Sequence, residues 1–443
     1  MNETGNAKQT GANRPKVAIV GAGFGGVAAA RRLAGRAVAV TLIDRRNYHL
    51  FQPLLYQVAT ADLSPADIAW PIRGLFTRDR NIAVVLSEVT GVDAAAREVL
   101  AGGRRYRYDF LILATGSGNS YFDHPEWEPR APGLKRIIDA TEIRKRILLA
   151  FEQAEIAEDP AEQRRLLNFV VVGGGPTGVE MAGAIAELAR VALLRDFRRI
   201  DPKDARIVLV EAGARLLPSF APALSDYARG CLEKLGVEIM LGQPVRAIDA
   251  TGARIGETFL PSATVVWAAG VKVEGPGKWL GAETDRSGRL AVGPDLSVPG
   301  HPEIFVIGDA AKAVWEGERT VPGLAPAAKQ EGRYVAAVIR ARIAGQPPPP
   351  PFRYRHAGNL ATIGRHAAIV DFGRLTLRGA LAWWFWGLAH IYFLINTRAA
   401  TLVMLEWFWV YLTHKKGARL ITGLRPLFSS AADPGGESPT DRP

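Results

Sequence analysis

Residues 16–26, KVAIVGAGFGG, form a strand running into a glycine loop, and that reading decides the fold. Lys16–Val20 is a β-branched run suited to a buried parallel strand, and the alanine-rich GVAAARRLAG from Gly26 onward predicts a helix that Gly35 stops. The loop Gly21-Ala22-Gly23-Phe24-Gly25-Gly26 divides the work among its glycines. Gly21 makes the tight turn, Gly23 keeps a Cβ out of the path of a pyrophosphate, and Gly26 lets helix and strand pack closely. Phosphates held by such a loop sit against the helix N-terminus, where free N–H groups and the helix dipole favour negative charge. A second predicted strand, Ala37–Ile43, delivers Asp44. A carboxylate about 20 residues past the loop is the expected partner of an adenosine ribose.

The plan occurs twice. Asn168–Val172 is the second such strand, Gly173-Gly174-Gly175-Pro176-Thr177-Gly178 the second loop, and Gly178–Ala192 its predicted helix. Arg206–Val210 then delivers Glu211, although Leu193–Asp204 inserts a charged, looped stretch that lengthens the interval beyond the usual spacing. A carboxylate on the ribose hydroxyls would repel a 2′-phosphate, so Glu211 favours NADH over NADPH. The alternative for both loops is a pair of ordinary strand-to-helix turns in an α/β protein. Strand, loop, helix, strand and acid in the same order twice instead imply two bound dinucleotides, and a chain that holds two most often passes electrons between them.

Other strand ends add to this pattern. Tyr108–Leu113 closes in Ala114-Thr115-Gly116, Thr264–Ala268 runs into Ala269-Gly270, and Ile304–Ile307 ends in Gly308-Asp309. Ligands of open α/β sheets sit at strand C-termini, so these turns are expected to converge on the bound groups. Arg46–Leu63, with Gln52 and the helix-interrupting Pro53, reads as a buried connection.

Composition sets the frame. At 443 residues and 48% hydrophobic, the chain supports two or three domains with real cores. The net charge of +11 suits an anionic membrane surface, while its basic residues are spread out and no nucleic-acid motif is present. Seven histidines are scattered without ligand spacing, so no metal is expected. The single cysteine, Cys231, lies in a helical stretch and is expected to be a buried structural thiol. Met1–Arg14 is polar and lacks the apolar core of a secretory signal, which predicts a disordered tail and a catalytic body on the cytoplasmic side. Pro347–Pro351 reads as a stiff linker with a boundary near 345, and residues 431–443 as a second disordered tail.

Gly379–Ile395 and Ala399–Leu412 are apolar runs that carry five of the ten tryptophans, followed by the cations of His414–Arg419. The first run has 17 residues and reaches about 25 Å as a helix, short of the roughly 30 Å hydrocarbon core. Tryptophan suits the headgroup level and cations suit anionic lipid, so interfacial helices are expected, with a hydrophobic dimer interface or core helices as the alternative.

Taken together, the first loop, His49–Thr60 (HLFQPLLYQVAT), Ala114–Gly116, residues 173–184 (GGGPTGVEMAGA), residues 267–271 (WAAGV) and residues 308–311 (GDAA) resemble the type II NADH:quinone oxidoreductases. The similarity runs in motif order from about Lys16 to Gly423. It implies an α/β fold of the two-dinucleotide-binding-domain flavoprotein type, with two Rossmann-like domains and C-terminal membrane-associated helices. The domains expected are a discontinuous FAD-binding unit (15–120 and 270–345), an NADH-binding unit (121–269) and a membrane-anchoring module (346–430). On this resemblance FAD is held by Gly21, Gly23, Phe24, Gly25, Gly26, Asp44, Gln52, Thr115, Gly116, Gly308 and Asp309. NADH is held by Gly173, Gly175, Pro176, Thr177, Gly178, Glu211, Ala269 and Gly270. With one thiol in the chain, a cysteine pair cannot relay electrons, so they leave the flavin directly for the acceptor.

The same resemblance implies oxidation of NADH, reduction of a membrane quinone and no proton pumping, at the cytoplasmic face of the inner membrane. Glu180 would lie near flavin and nicotinamide, to steer nicotinamide binding or assist proton delivery; as a first-turn carboxylate it would also complement the helix dipole. Ala325–Gln330 corresponds to the segment lining the quinone approach. Pro326 stands where that segment has its first glutamine, so a side-chain contact to the quinone at that position stays open, and Gln330 matches the second glutamine. Lys329 would either donate to a quinone oxygen or cover a helix surface. A homodimer is compatible with the apolar C-terminus. A soluble NADH-dependent flavin reductase, or a non-catalytic flavin-bound sensor or scaffold, would share the two loops but have no use for the C-terminal runs as an anchor.

Overall fold

In the computed structural model, which describes residues 14–315, 317, 319–394, 397–413 and 417–422, Lys16–Val20 lies inside a six-stranded sheet. The spatial order is Ser297–Val298, His301–Val306, Phe110–Leu113, Lys16–Val20, Ala39–Asp44 and Ile82–Leu86. All neighbours are parallel except the first pair. Strands buried on both faces need continuous apolar sequence, and Val17, Ala18, Ile19 and Val20 are all buried. The first loop leads into helix α1, Phe24–Leu33.

A second sheet is parallel throughout, in the order Val237–Leu241, Arg206–Glu211, Asn168–Val172 and Thr264–Trp267. Its strands fall within the sequence interval that separates Phe110–Leu113 from His301–Val306, so one unit is inserted into the other. The chain crosses between them on an antiparallel ribbon, Gly118–Asn119 against Val271–Lys272. The Trp267 indole donates to Ser120 O at 2.8 Å and fastens this crossing to the second sheet. Helix α2, Ile137–Ile156, buries Ile143, Ile147, Leu148 and Phe151 on one side. Helix α3, Pro176–Glu187, follows the second loop. The single helix expected over Gly178–Ala192 is in fact two pieces, because residues Leu188–Ala192 form a π-helical turn. The expected loop insertion follows, closing in a 3₁₀ turn at Pro202–Asp204.

Helix α4, Ala325–Ile343, crosses α1 at two glycines: a Cβ on Gly332 would lie 2.2 Å from Gly25 O. Only backbone without side chains allows that approach. The proline run after α4 has no regular structure, yet the segment beyond it is strapped to the first unit. Phe352 N–H donates to Pro294 O at 2.8 Å, and Phe352 packs against Tyr334.

The C-terminal part is an antiparallel sheet of Asn359–Ile363, Ala367–Asp371 and Thr376–Gly379, followed by α5, Ala380–Phe393, and α6, Thr397–Thr413. It shares one apolar core with α2, α3 and the helix Leu55–Ala59. Helices α5 and α6 meet where Trp386 stacks on Trp407 at 5.3 Å, and outward they expose Leu381, Trp384, Leu388, Tyr392, Leu405, Phe408 and Trp409. With 14 and 17 residues they span about 21 and 26 Å, and no helix among the described residues is long and apolar enough to cross a membrane. Residues 1–13 and 431–443 of the expected tails, and His414–Lys416, lie outside the described residues. Cys231 departs from expectation: it is partly rather than fully buried, because its face of the helix Pro222–Lys234 sits at the margin of the core beside Tyr227.

Candidate active site

The two loops have the same geometry. Gly21 and Gly173 adopt φ of +100° and +112°, a conformation side-chain-bearing residues rarely take, and each presses on the neighbouring strand end, Ala114 O in one case and Ala268–Ala269 in the other. A Cβ on Gly26 or Gly178 would lie 1.8 Å from the carbonyl of Gly21 or Gly173 respectively. Gly23 and Gly175, in contrast, face open space, with no atom within 4 Å of a Cβ built on either. Pro176 and Thr177, at the start of α3, are exposed beside this opening. The acids match as well. Asp44 accepts from Ala22 N–H at 2.7 Å and Arg46 N–H at 2.8 Å; Glu211 accepts from Gly174 N–H and Gly213 N–H, each at 2.6 Å. The longer interval before Glu211 therefore leaves its position unchanged, because the insertion is absorbed by the π-helical turn and the loop after it.

The turns converge on the first loop. Besides Ala114, Thr115 touches Gly21, while Gly25 lies against Ile307 and Ala328 O. The Ser117 hydroxyl donates to Asp309 at 2.5 Å, and Lys135 Nζ donates to Ser117 at 3.3 Å. Gly116 and Gly308 complete these turns at φ of +69° and +68°. Gln52 opens a half-buried 3₁₀ turn, Gln52–Leu54. Gly270 O accepts from Ser120 N–H at 3.3 Å, a bond that continues the antiparallel crossing of Gly118–Asn119 and Val271–Lys272 rather than one within its own turn. Thr115 Oγ1 is buried with no hydrogen-bond partner among the described residues. A buried polar atom without a partner, beside an opening over a phosphate loop, fits a bound cofactor that satisfies it.

Around this centre stand residues the sequence reading did not single out. Glu331 is 1% exposed and accepts from Gly308 N–H at 2.5 Å. Burial pushes its carboxyl up to about 8, opposed by that hydrogen bond and aided by Asp309. Only its place one residue past Gln330 hinted at it. His49 is buried, bonded through Nδ1 to Ala22 O at 2.8 Å, and packed edge-on to Phe24. Burial lowers it to about 4, so it is neutral.

Glu180 faces a cavity of about 70 Å³ between α3, the Tyr56–Asp62 segment and the C-terminal module. Its carboxyl is pushed up to about 8 by burial, with Thr362 N–H opposing at 3.4 Å. Lys329 lies on α4 between the rings of Phe24, 5.1 Å away, and Phe393, 5.0 Å away. Burial, with Arg333 and Arg31, lowers its ammonium to about 8. It thus joins the first loop to α5. Gln330 does something else: its amide donates to Arg355 O at 2.9 Å and accepts from Arg355 N–H at 3.0 Å. Both ends of that side chain are committed to the strap after the proline run.

Comparison with known proteins agrees with this arrangement. Residues 15–332 match the family model for pyridine nucleotide-disulphide oxidoreductases, and residues 356–415 match the NDH2 C-terminal domain. Over 424 residues the chain is 43% identical to the type II NADH:quinone oxidoreductase Ndh of Mycobacterium tuberculosis, covering 92% of this chain and 90% of that protein. The chain belongs to the type II NADH:quinone oxidoreductases. This family member is also 42% identical to NdhA of the same organism, over 92% of this chain and 90% of the relative. In fold it resembles NDH2 from Plasmodium falciparum in complex with NADH, with a TM-score of 0.83 at 22% identity, over 91% of this chain and 99% of that one. The two-dinucleotide-binding α/β architecture is therefore that of the family.

Proposed function

We propose that this chain oxidises NADH and reduces a membrane quinone through bound FAD, without carrying protons across the membrane. The observation that carries the reading is the doubled loop-and-acid geometry, with Glu180 on the helix of the second loop facing the first unit. The first loop, Asp44, Gln52, Thr115–Gly116 and Gly308–Asp309 would hold FAD, and the second loop, Glu211 and Ala269–Gly270 would hold NADH. The units then divide at 15–120 with 270–345, at 121–269 and at 346–430. Bound FAD supplies the two-electron link between nicotinamide and quinone. The protein's part is placement. Loop N–H groups at the starts of α1 and α3 fix the pyrophosphates, and the two acids fix the riboses.

Glu180 steers the nicotinamide or handles a proton beside it. Lys329, held between two rings and lowered towards neutrality, is the donor best placed for a quinone oxygen, while Gln330 supports the approach by anchoring Arg355. The exposed aromatic face of α5 and α6 rests in the bilayer interface on the side where NADH is present, the cytoplasmic face of the inner membrane. The same face would also serve a homodimer if two copies met through it.

The deciding experiment follows flavin absorbance of the FAD-loaded protein with NADH and then a short-chain quinone. Bleaching by NADH and recovery on adding quinone supports the reading. Bleaching without recovery would move the acceptor from quinone to a small electron-transfer protein.

A further inference from the structure

Lys135 ends the segment that leads from the crossing of the two units into α2, and the second unit fixes its backbone from both sides. Ala131, Pro132, Gly133 and Leu134 are buried. Trp267 N–H donates to Pro132 O at 3.0 Å, and Gly133 forms a parallel bridge to Trp267, so the segment adds to the edge of the second sheet. It has no room to slide: a Cβ on Gly133 would lie 2.1 Å from the side chain of Asn119 on the crossing ribbon. Beyond it, Asp139 accepts from Lys135 N–H at 3.1 Å and from Arg136 N–H at 2.8 Å, which sets where α2 starts.

The side chain runs the other way, into the first unit. Its ammonium reaches the Ser117 hydroxyl, which in turn donates to Asp309. Ser117 and Asp309 follow the parallel neighbours Phe110–Leu113 and His301–Val306. Lys135 therefore stands at the C-terminal ends of two adjacent strands, where open α/β sheets hold ligands.

An ammonium has three N–H donors. Here one is spent on a neutral hydroxyl, and the group has no ion pair and no other acceptor among the described residues. Lys145 on the same helix, in contrast, pairs with Glu142 at 2.8 Å. Burial lowers the proton affinity of Lys135, with the Asp309 carboxylate opposing. Holding a partly buried cation with two donors unanswered costs free energy, which a ligand rich in oxygen would recover. Thr115, on the same turn as Ser117, carries a second buried polar atom without a partner among the described residues. Two unanswered groups at one turn point to one ligand.

We propose that Lys135 is an FAD ligand supplied by the second unit: its ammonium donates to an oxygen of the sugar–phosphate chain of FAD beside Asp309, closing the first unit's site from across the boundary. The inference rests on the FAD reading of the first loop. Asp309, an acceptor only, suits the hydroxyls of that chain, and Lys135, a donor only, suits its phosphate oxygens. Ser117, bonded to both, spaces the two charges so that each keeps capacity for the cofactor. Bound FAD then ties the start of α2 to the first sheet and holds together the two units between which electrons pass.

The test titrates FAD-stripped protein with FAD, followed by quenching of flavin fluorescence. Lys135→Met should weaken binding about tenfold or more, the effect of losing a hydrogen bond from a charged group, while Lys135→Arg stays within about threefold. Lys135→Gln should give the same loss and replaces Lys135→Met if that variant fails to fold. Lys145→Met, which removes a lysine that is already paired, should leave FAD affinity unchanged. Ser117→Ala separates contact from support. A lysine that only steadies Ser117 and Asp309 loses its effect in that background, whereas one that touches FAD keeps it. The expected result is a further loss of about tenfold when Lys135→Met is added to Ser117→Ala. A loss seen only with Ser117 present, or affinity within about twofold of wild type in folded Lys135→Met, would overturn the proposal. Wild-type protein that binds no FAD would instead overturn the reading of the first loop.

Discussion

Replacing Gly332 by alanine tests whether the contact between α1 and α4 sets the first phosphate loop. The new Cβ would lie 2.2 Å from Gly25 O and 3.2 Å from Ala29 N, both backbone atoms of the loop and α1. Even close carbon–oxygen contacts need about 3.3 Å, so the helices must part by about 1 Å. No flexible side chain is available to yield, which puts the cost near the upper end of overpacking, about 3 kcal/mol. Alanine regains about 1 kcal/mol of helix propensity, leaving about 2 kcal/mol of net strain. Because Gly25 belongs to the loop, that strain is relieved by moving the N–H groups that hold the phosphates. About 2 kcal/mol corresponds to roughly 30-fold weaker FAD binding. The assay is titration of FAD-stripped protein with FAD, followed by fluorescence quenching and by thermal melting. Gly230→Ala is the control: nothing lies within 4 Å of a Cβ there, so the same change in the helix Pro222–Lys234 should leave FAD affinity unchanged and stability equal or slightly higher. Gly332→Ala protein that binds FAD within twofold of wild type and melts at the same temperature would refute the reasoning.

Three further outcomes are expected. Glu180 and Glu331 both keep carboxyls near 8 when folded, above the ordinary value of 4.5, so the folded state binds more protons than the unfolded state between those values. The stabilisation is fully present below about pH 4.5 and fades as pH rises through about 8, at up to about 1.4 kcal/mol per pH unit for each group. Thermal melts at pH 6 and 9 should show this loss in wild type and a smaller one in Glu331→Gln; equal slopes would count against the buried-acid assignment. Glu211→Ala should lower the NADH-to-NADPH ratio of kcat/KM by about tenfold or more, since a facing like charge costs several kcal/mol; an unchanged ratio would mean that another group reads the ribose. Wild-type protein should float with vesicles containing anionic lipid, and the pair Leu388→Glu with Phe408→Glu, at positions 65% and 62% exposed, should stay behind. Loss of dimerisation without loss of flotation in that pair would assign the face to a second copy of the chain.

The parts of the site written in consecutive residues were legible early. Each phosphate loop is a local demand: a turn at positive φ, a contact too close for a Cβ and an opening above the helix start, all met within six residues. The strands around the loops are legible for the same reason, because burial on both faces requires an unbroken apolar run. Spacing was a poorer guide. It set Glu211 apart from Asp44, yet both acids receive the same loop N–H, because an insertion can bulge from a helix end without moving the next strand. What only tertiary structure decided is where polar side chains spend their hydrogen bonds. Gln330 is taken up by Arg355 across a proline linker, and Glu331 is buried against Gly308, 23 positions away. The cavity beside Glu180 joins Tyr56 and Asp62 to Glu187, Arg365 and Trp407, segments separated by more than a hundred residues. The sequence by itself determined backbone shape at the two loops, since that depends on each residue and its immediate neighbours. Burial, proton affinity and the polar lining of the cavity depend on which distant elements pack together, and were decided only by the assembled fold.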